Sequence, residues 1–179
     1  MALAGLAVLG LVAGCTGPDA DTPVPTTAGE PFVCTGVPRA GVELALGGAA
    51  ASVEEEGTWG REGRGFSCSV RRSSGDGVVQ VLEWDVVAKL GVTGEEALDL
   101  FSRERDATEI RADVPGAGYA IGDAADGSAK WVCGDRMITV SLIGVPRIGR
   151  DERVDAEALL RSMLPWACGD EDAPPRTAD

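Results

Sequence analysis

Residues 129–143 read AKWVCGDRMITVSLI, and this stretch decides the fold. Two runs rich in β-branched and aromatic residues, 129–133 and 137–143, flank the pair Gly134-Asp135. Glycine at the first central position of a two-residue loop is typical of a type II′ turn, which joins adjacent antiparallel strands. The stretch therefore predicts a β-hairpin and an antiparallel sheet.

Three helical patterns surround this hairpin in the chain. Pro38, followed by apolar residues at helical spacing, predicts a first helix. Thr93 with Glu96 three residues later forms a capping box and predicts a second helix that ends near Asp106. The third helix starts near Asp151. Its apolar stripe is Ala156, Leu159, Leu160, Met163 and Leu164.

The remaining strand patterns are short and joined by hairpin-length links. Residues 52–65, which are rich in glycine, are interpreted as a loop or a ragged edge strand. Alternation of apolar and polar residues predicts strands at 66–71, 78–87, 110–114 and near 119–121. We therefore expect an α+β fold in which an antiparallel sheet of about five to six strands carries three helices on one face.

The chain opens with an uncharged apolar run at residues 2–13. A transmembrane helix needs about 20 apolar residues, so this run has the length of the hydrophobic region of an export signal. It ends in Val12-Ala13-Gly14-Cys15, which resembles the lipobox of bacterial lipoproteins: an aliphatic residue, two small residues and a cysteine. The resemblance implies that residues 1–14 are a cleaved signal peptide. It also implies that Cys15 carries a diacylglyceryl group at the start of the mature protein.

Polar segments rich in proline flank the body of the chain. Residues 15–33 are expected to form the lipidated cysteine and an extended, unpacked tether, because proline fixes φ and removes backbone donors. Residues 169–179, GDEDAPPRTAD, are expected to be an acidic disordered tail. A single domain spans 34–168 between them.

Four cysteines remain when Cys15 is set aside: Cys34, Cys68, Cys133 and Cys168. They allow three connectivities, of which we favour Cys34–Cys68 and Cys133–Cys168. A zinc site made of four cysteines is the alternative, but no two of them have the C-x2-4-C spacing. Two disulfides agree with export to an oxidising compartment.

The body as a whole resembles the small α+β domains of actinobacterial cell-envelope lipoproteins. The resemblance rests on the lipobox, the tether rich in Thr, Pro and Asp, and the sequence Cys34-x-Gly36-Val37-Pro38 followed by a second cysteine in the next strand. It implies a location at the outer face of the cell membrane, where Cys15 is the lipid anchor. It implies no particular activity.

The composition excludes several kinds of chemistry. The chain has no histidine, so neither a Ser-His-Asp triad nor a Cys-His pair can form. Its net charge of -13 repels phosphate backbones, so no nucleic-acid partner is expected. No cofactor site, metal site or catalytic residue is predicted.

The candidate functional residues are carboxylates and one aromatic side chain. Glu83 and Asp85 share a strand face that we interpret as solvent-exposed, opposite Leu82 and Trp84. The run 54–56 (Glu-Glu-Glu) and the segment 123–128 (DAADGS) are interpreted as a solvated charge run and a plain turn. Trp59 lies among glycines and is the candidate for surface recognition. Trp84, Trp131 and Trp166 are interpreted as core residues.

We therefore expect a non-catalytic binding or interaction module, exported and anchored by lipid. Its partner is an envelope protein, a glycan or a small ligand. The alternatives are a carboxylate-dependent hydrolase of the cell envelope and a small carrier of lipid or another ligand. Two carboxylates about 5 to 10 Å apart in a cleft would favour a glycosidase, and a closed apolar pocket would favour a carrier.

Overall fold

The computed structural model describes residues 21–60, 65–73, 77–122, 126–145 and 149–177. In chain order the strands are β1 (Phe32–Cys34), β2 (Val37–Pro38), β3 (Ala50–Glu56), β4 (Phe66–Arg72), β5 (Val78–Asp85), β6 (Thr108–Ile110), β7 (Ala117–Gly122), β8 (Gly127–Cys133) and β9 (Arg136–Ile143). The helices are α1 (Arg39–Leu46), α2 (Val86–Leu90), α3 (Gly94–Ser102) and α4 (Glu152–Ala167).

Seven of the strands form one antiparallel sheet in the order β3-β4-β5-β9-β8-β7-β6. The predicted hairpin is present, since β8 and β9 pair across Gly134, whose φ is +62°. Strands β5 and β9 pair at the centre of the sheet and so join the N-terminal and C-terminal strands. Strands β1 and β2 form a separate two-stranded sheet.

Helices cover both faces of the large sheet, which corrects the expectation of helices on one face. On one face, α1 and α4 cover the main core, where Leu159 and Trp131 are buried. On the other face, α2 and α3 cover only one end, where Phe101 packs with Val132 and Met137 in a smaller cluster. Neighbouring residues of β8, such as Trp131 and Val132, therefore point into two different cores.

The α+β class is confirmed, but the expected numbers of elements were too low. The described part of the chain has four helices, a seven-stranded sheet and a two-stranded sheet. The strand predicted at 78–87 ends at Asp85, because the Asp85 carboxylate accepts a hydrogen bond from Ala88 N and caps α2. The strand predicted at 110–114 was misplaced: β6 ends at Ile110, and residues 111–114 are not in a strand.

Much of the N-terminal segment is packed on the body, which corrects the prediction of a free tether. We call residues 22–31 the N-terminal arm. Val24 is 4% exposed within the main core and lies close to Gly41 of α1. Arg150 Nη1 donates a hydrogen bond of 2.7 Å to the carbonyl oxygen of Thr22. Residues 1–20, which include Cys15, lie outside the described residues.

The tail is also ordered through residue 177, which corrects the prediction of a disordered segment at 169–179. Thr177 and Phe32 exchange two hydrogen bonds: Thr177 N donates to Phe32 O, and Phe32 N donates to Thr177 Oγ1. Gly36 N donates to Pro174 O at 2.7 Å. The acidic composition indicated a solvated tail, but these backbone contacts hold it beside β1 and β2.

Two disulfides fasten the fold with the pairing that we favoured. Cys34 of β1 is bonded to Cys68 of β4, and Cys133 of β8 is bonded to Cys168, the C-cap of α4. All four cysteines are therefore used in disulfides, which rules out the zinc site. Within the described ranges, no helix combines the length and apolar character needed to cross a membrane.

Candidate functional site

Helices α2 and α3 cover only one end of the face of the seven-stranded sheet that lies opposite the main core. We call the uncovered part of this face the open face. Its side chains come from β4, β5, β9 and β8, and most of them are short and polar. The open face consists of Ser67, Ser69, Gln80, Leu82, Thr139, Ser141 and Ser128. All of these residues lie on the side of their strands that alternates away from the main core.

Strand register arranges these side chains in two rows across the sheet. One row is Ser69, Gln80, Ser141 and Ser128, which are direct cross-strand neighbours. Directly opposite side chains in antiparallel strands lie about 5 Å apart, so this row presents a continuous line of hydroxyl and amide groups. The open face can therefore donate and accept several hydrogen bonds to one flat ligand.

The second row contains a hydroxyl that has no partner. This second row consists of the cross-strand neighbours Ser67, Leu82, Thr139 and Lys130. Thr139 is 9% exposed, and its Oγ1 has no hydrogen-bond partner in the described part of the chain. This oxygen is itself buried, so the side chains around it, and not the Thr139 hydroxyl, form the accessible surface of the open face.

A groove of about 330 Å³ lies at the end of the open face where α2 begins. We call it the Trp84 groove. Its lining consists of Glu56, Gly65, Phe66, Ser67, Leu82, Glu83, Trp84 and Lys89. Trp84 is half-buried and also packs against the cluster beneath α3, which fixes the position of its ring. The carboxylate of Glu56 and the ammonium of Lys89 bring opposite charges to a groove that is otherwise mostly apolar.

The structure does not place Trp59 where the sequence predicted it. Its ring is only 9% exposed and stacks on Phe66, with ring centroids 4.2 Å apart. Trp59 Nε1 donates a hydrogen bond of 2.8 Å to Thr35 O. The glycines that suggested an exposed loop turn the chain back on itself instead, since Gly57 and Gly60 both have positive φ. Trp84 is therefore the tryptophan that lines a groove.

Glu83 is likewise buried, which corrects its assignment to a solvent-exposed face. The alternation along β5 was identified correctly, but the core face is the one that carries Val79, Val81 and Glu83. Both carboxylate oxygens of Glu83 accept from Gly60 N, and Arg136 Nη1 lies 3.1 Å from Oε1. A carboxylate held by these donors is not placed to transfer a proton to a ligand.

The other predicted carboxylates do not converge on one point. Glu55 Oε1 accepts a hydrogen bond from Thr35 N, whereas Glu54 and Glu56 follow the opposite side of the edge strand β3. Asp126 Oδ1 accepts from Gly144 N at 3.5 Å, and 123–125 lie outside the described residues. Within the described ranges, no group of three or more acidic or cysteine side chains could hold a metal ion.

Sequence patterns missed the open face, because alternation separates the two faces of a strand but does not show which face a helix will cover. The signal that could have identified it is the row of small polar residues at alternate positions of β4, β5 and β9. Comparisons of the chain with known protein families, with curated proteins and with solved structures gave no match.

Proposed function

We propose that the protein is an exported, lipid-anchored cell-envelope protein that binds a glycan on its open face and in the Trp84 groove. The observation that carries this proposal is the uncovered sheet face, where rows of hydroxyl and amide groups end at a half-buried indole. Sugar rings present hydroxyls at their edges and C–H groups on their faces, so hydrogen-bonding rows beside an aromatic ring complement both.

The polarity of the open face supports a glycan over a protein partner. Protein interfaces have a core of aromatic and other large apolar anchors. Here Leu82 and Trp84 supply apolar area at one end of the face, Val78 and the 48% exposed Ile143 supply it at the other end, and the positions between them are mostly short hydroxyl and amide side chains. A ligand that satisfies many hydrogen bonds without requiring a large apolar patch fits this surface better.

The alternatives have less support. A hydrolase that relies on carboxylates needs one that is free to take or give a proton, and Glu83 is held by Gly60 and Arg136. A lipid carrier needs an enclosed apolar cavity, whereas the Trp84 groove is open and carries Glu56 and Lys89. Binding without chemistry remains the function that agrees best with these side chains.

Attachment at Cys15 would hold the binding domain close to the membrane. Because the N-terminal arm packs on the body from Thr22, only seven peptide units separate Cys15 from the first packed residue. At no more than about 3.6 Å per residue, they reach at most about 25 Å. The tether therefore suits a ligand in the layer next to the membrane.

Co-sedimentation with insoluble cell-wall glycan tests the proposal. Ser141 lies in the middle of the first row, so Ser141→Arg places a long charged side chain across the open face. Ser102→Arg is the matched control, because Ser102 is exposed at the end of α3 and away from the open face. We expect the unaltered protein and Ser102→Arg to pellet with the glycan and Ser141→Arg to stay in solution. Equal pelleting of all three would overturn the proposal.

A further inference from the structure

A second groove lies on the opposite side of the molecule, between α4 and the segment that follows β6. Its volume is about 440 Å³, which falls within the usual range for ligand pockets. We call it the Arg groove and define it by Arg111, Asp113, Val114, Arg161, Leu164 and Pro165. Thr26 of the N-terminal arm contributes to its rim.

The charged groups of the Arg groove have few partners. Neither Arg111 nor Asp113 forms a hydrogen bond or ion pair with any other described residue, and the two do not pair with each other. Arg161 has only Glu157 one turn away, at 3.8 Å, the outer limit of an ion pair. Two guanidinium groups are therefore available to bind a negatively charged ligand.

The groove also presents acceptors, which narrows the class of ligand. Asp113 contributes a carboxylate. The groove thus combines cationic donors with at least one charged acceptor, and Leu164, Val114 and Pro165 add apolar wall.

We infer that the Arg groove binds a short peptide end that has a free α-carboxylate and small apolar side chains. The guanidinium groups of Arg111 and Arg161 match a carboxylate in charge and in fork geometry. The Asp113 carboxylate can accept from the peptide N–H groups, which a phosphate ester lacks. The carboxylates of Asp113 and of Glu157, the i,i+4 partner of Arg161, stand beside the two guanidinium groups, so a singly charged carboxylate is favoured over a phosphate dianion.

NMR titration of the full isotope-labelled chain tests this inference with three probes: N-acetyl-alanyl-alanine, its C-terminal amide and phenyl phosphate. We expect saturable shifts with the free acid at residues of the Arg groove. The amide should bind roughly 10- to 100-fold more weakly, since it removes charge-assisted hydrogen bonds of about 1.5–3 kcal/mol. Phenyl phosphate should also bind more weakly than the acid, because Asp113 and Glu157 repel its two negative charges more strongly than the single charge of a carboxylate.

Variants locate the site and separate it from the open face. Arg111→Gln and Arg161→Gln should each weaken binding of the acid by about tenfold or more. Arg103→Gln is the matched control, since Arg103 is exposed at the end of α3 on the other face of the sheet. Ser141→Arg should bind the acid normally, so failure of this inference is distinguishable from failure of the proposed glycan site.

Several outcomes would overturn the inference. These are a free acid that gives no saturable shifts, an amide or phenyl phosphate that binds as tightly as the acid, and Arg111→Gln and Arg161→Gln proteins that bind the acid as Arg103→Gln does. Amide spectra of each variant that match those of the unaltered chain outside the Arg groove confirm that the fold is intact.

Discussion

Arg136 Nη1 lies 3.1 Å from Oε1 of Glu83, a carboxylate whose side chain is 3% exposed. Gly60 N donates to the same carboxylate, with distances of 2.8 Å to Oε2 and 3.1 Å to Oε1. Gly60 directly follows Trp59, whose ring stacks on Phe66. The hydrogen bonds from Gly60 to Glu83 therefore fasten the chain after β3 to the core. The buried charge therefore has a structural role next to the Trp84 groove.

Removing the cation should destabilise the protein, because Glu83 would remain buried with only Gly60 N as a donor. Arg136 is 38% exposed, so solvent screens part of the interaction. We expect Arg136→Gln to lower the free energy of unfolding by about 1–2 kcal/mol. Arg103→Gln, which breaks the exposed pair with Asp99, should change it by no more than about 0.5 kcal/mol. Urea unfolding with disulfides intact measures both, and equal effects would contradict this role of Glu83.

Each disulfide should contribute substantially to stability. The bonded cysteines are separated by 34 residues in Cys34–Cys68 and by 35 in Cys133–Cys168. Loops of this length correspond to about 3–4 kcal/mol in the chain-entropy view. Replacing both members of either pair by alanine should lower the free energy of unfolding by that amount. Non-reducing peptide mapping provides the control, and a peptide linking Cys34 to Cys133 would disprove the pairing.

Lipid attachment at Cys15 stays a prediction of the sequence. Two acyl chains, at about 0.8 kcal/mol for each buried CH₂ group, suffice for stable membrane residence. Cys15→Ala should therefore remain uncleaved and take up no radioactive palmitate when expressed in a bacterium that processes lipoproteins. Cys34→Ala is the control and should be labelled as the unaltered protein is. Labelling of Cys15→Ala would exclude this residue as the anchor.

The N-terminus of α3 should be sensitive to acid. Glu96 accepts hydrogen bonds from the backbone N–H of Thr93 at 2.8 Å and from its hydroxyl at 3.0 Å, and these bonds lower the pKa of Glu96. Because the pKa is lowered on folding, the stabilisation is complete above about pH 5 and is lost as the pH falls through the pKa of the folded state.

Two neighbouring glutamates allow a matched test of this pH dependence. Glu96→Gln should have a lower Tm than the unaltered protein at pH 7, and the difference should shrink towards about pH 3, since the unaltered protein loses the same interaction there. Glu95→Gln is the control, because Glu95 is exposed and forms no part of the capping box. A Tm difference for Glu96→Gln that is constant across this range would contradict the role of the ionised carboxylate.

Sequence patterns predicted correctly the helix caps and turns that depend on residues close together in the chain. The capping box of Thr93 and Glu96 and the hairpin at Gly134 are present as expected. The apolar stripe of α4 predicted that helix, whereas α2 was not predicted at all, because five residues carry too little periodicity. The burial of Trp59 and Glu83, which depends on distant parts of the chain, was predicted wrongly.

The N-terminal arm and the C-terminal tail also show that sequence patterns do not reveal contacts with distant residues. Prolines and polar residues indicated a solvated arm and tail, since nothing in their composition supports a core. Their order comes from a few contacts with partners far away in sequence, which include Val24 with α1, Thr22 with Arg150, and Thr177 with Phe32. Neither propensity nor periodicity reports such contacts.

Docking of the N-terminal arm should depend on Val24. Its side chain is 4% exposed, so Val24→Asp would bury a charge, which costs several kcal/mol unless the arm leaves the body. We expect subtilisin to cleave the variant within 22–31 at least about tenfold faster than the unaltered protein, because released loops are the preferred sites of proteolysis. Mass spectrometry locates the cut. Val154→Asp is the matched control, since Val154 is 54% exposed on α4. Equal cleavage rates in the two variants would mean that the arm is not held by Val24.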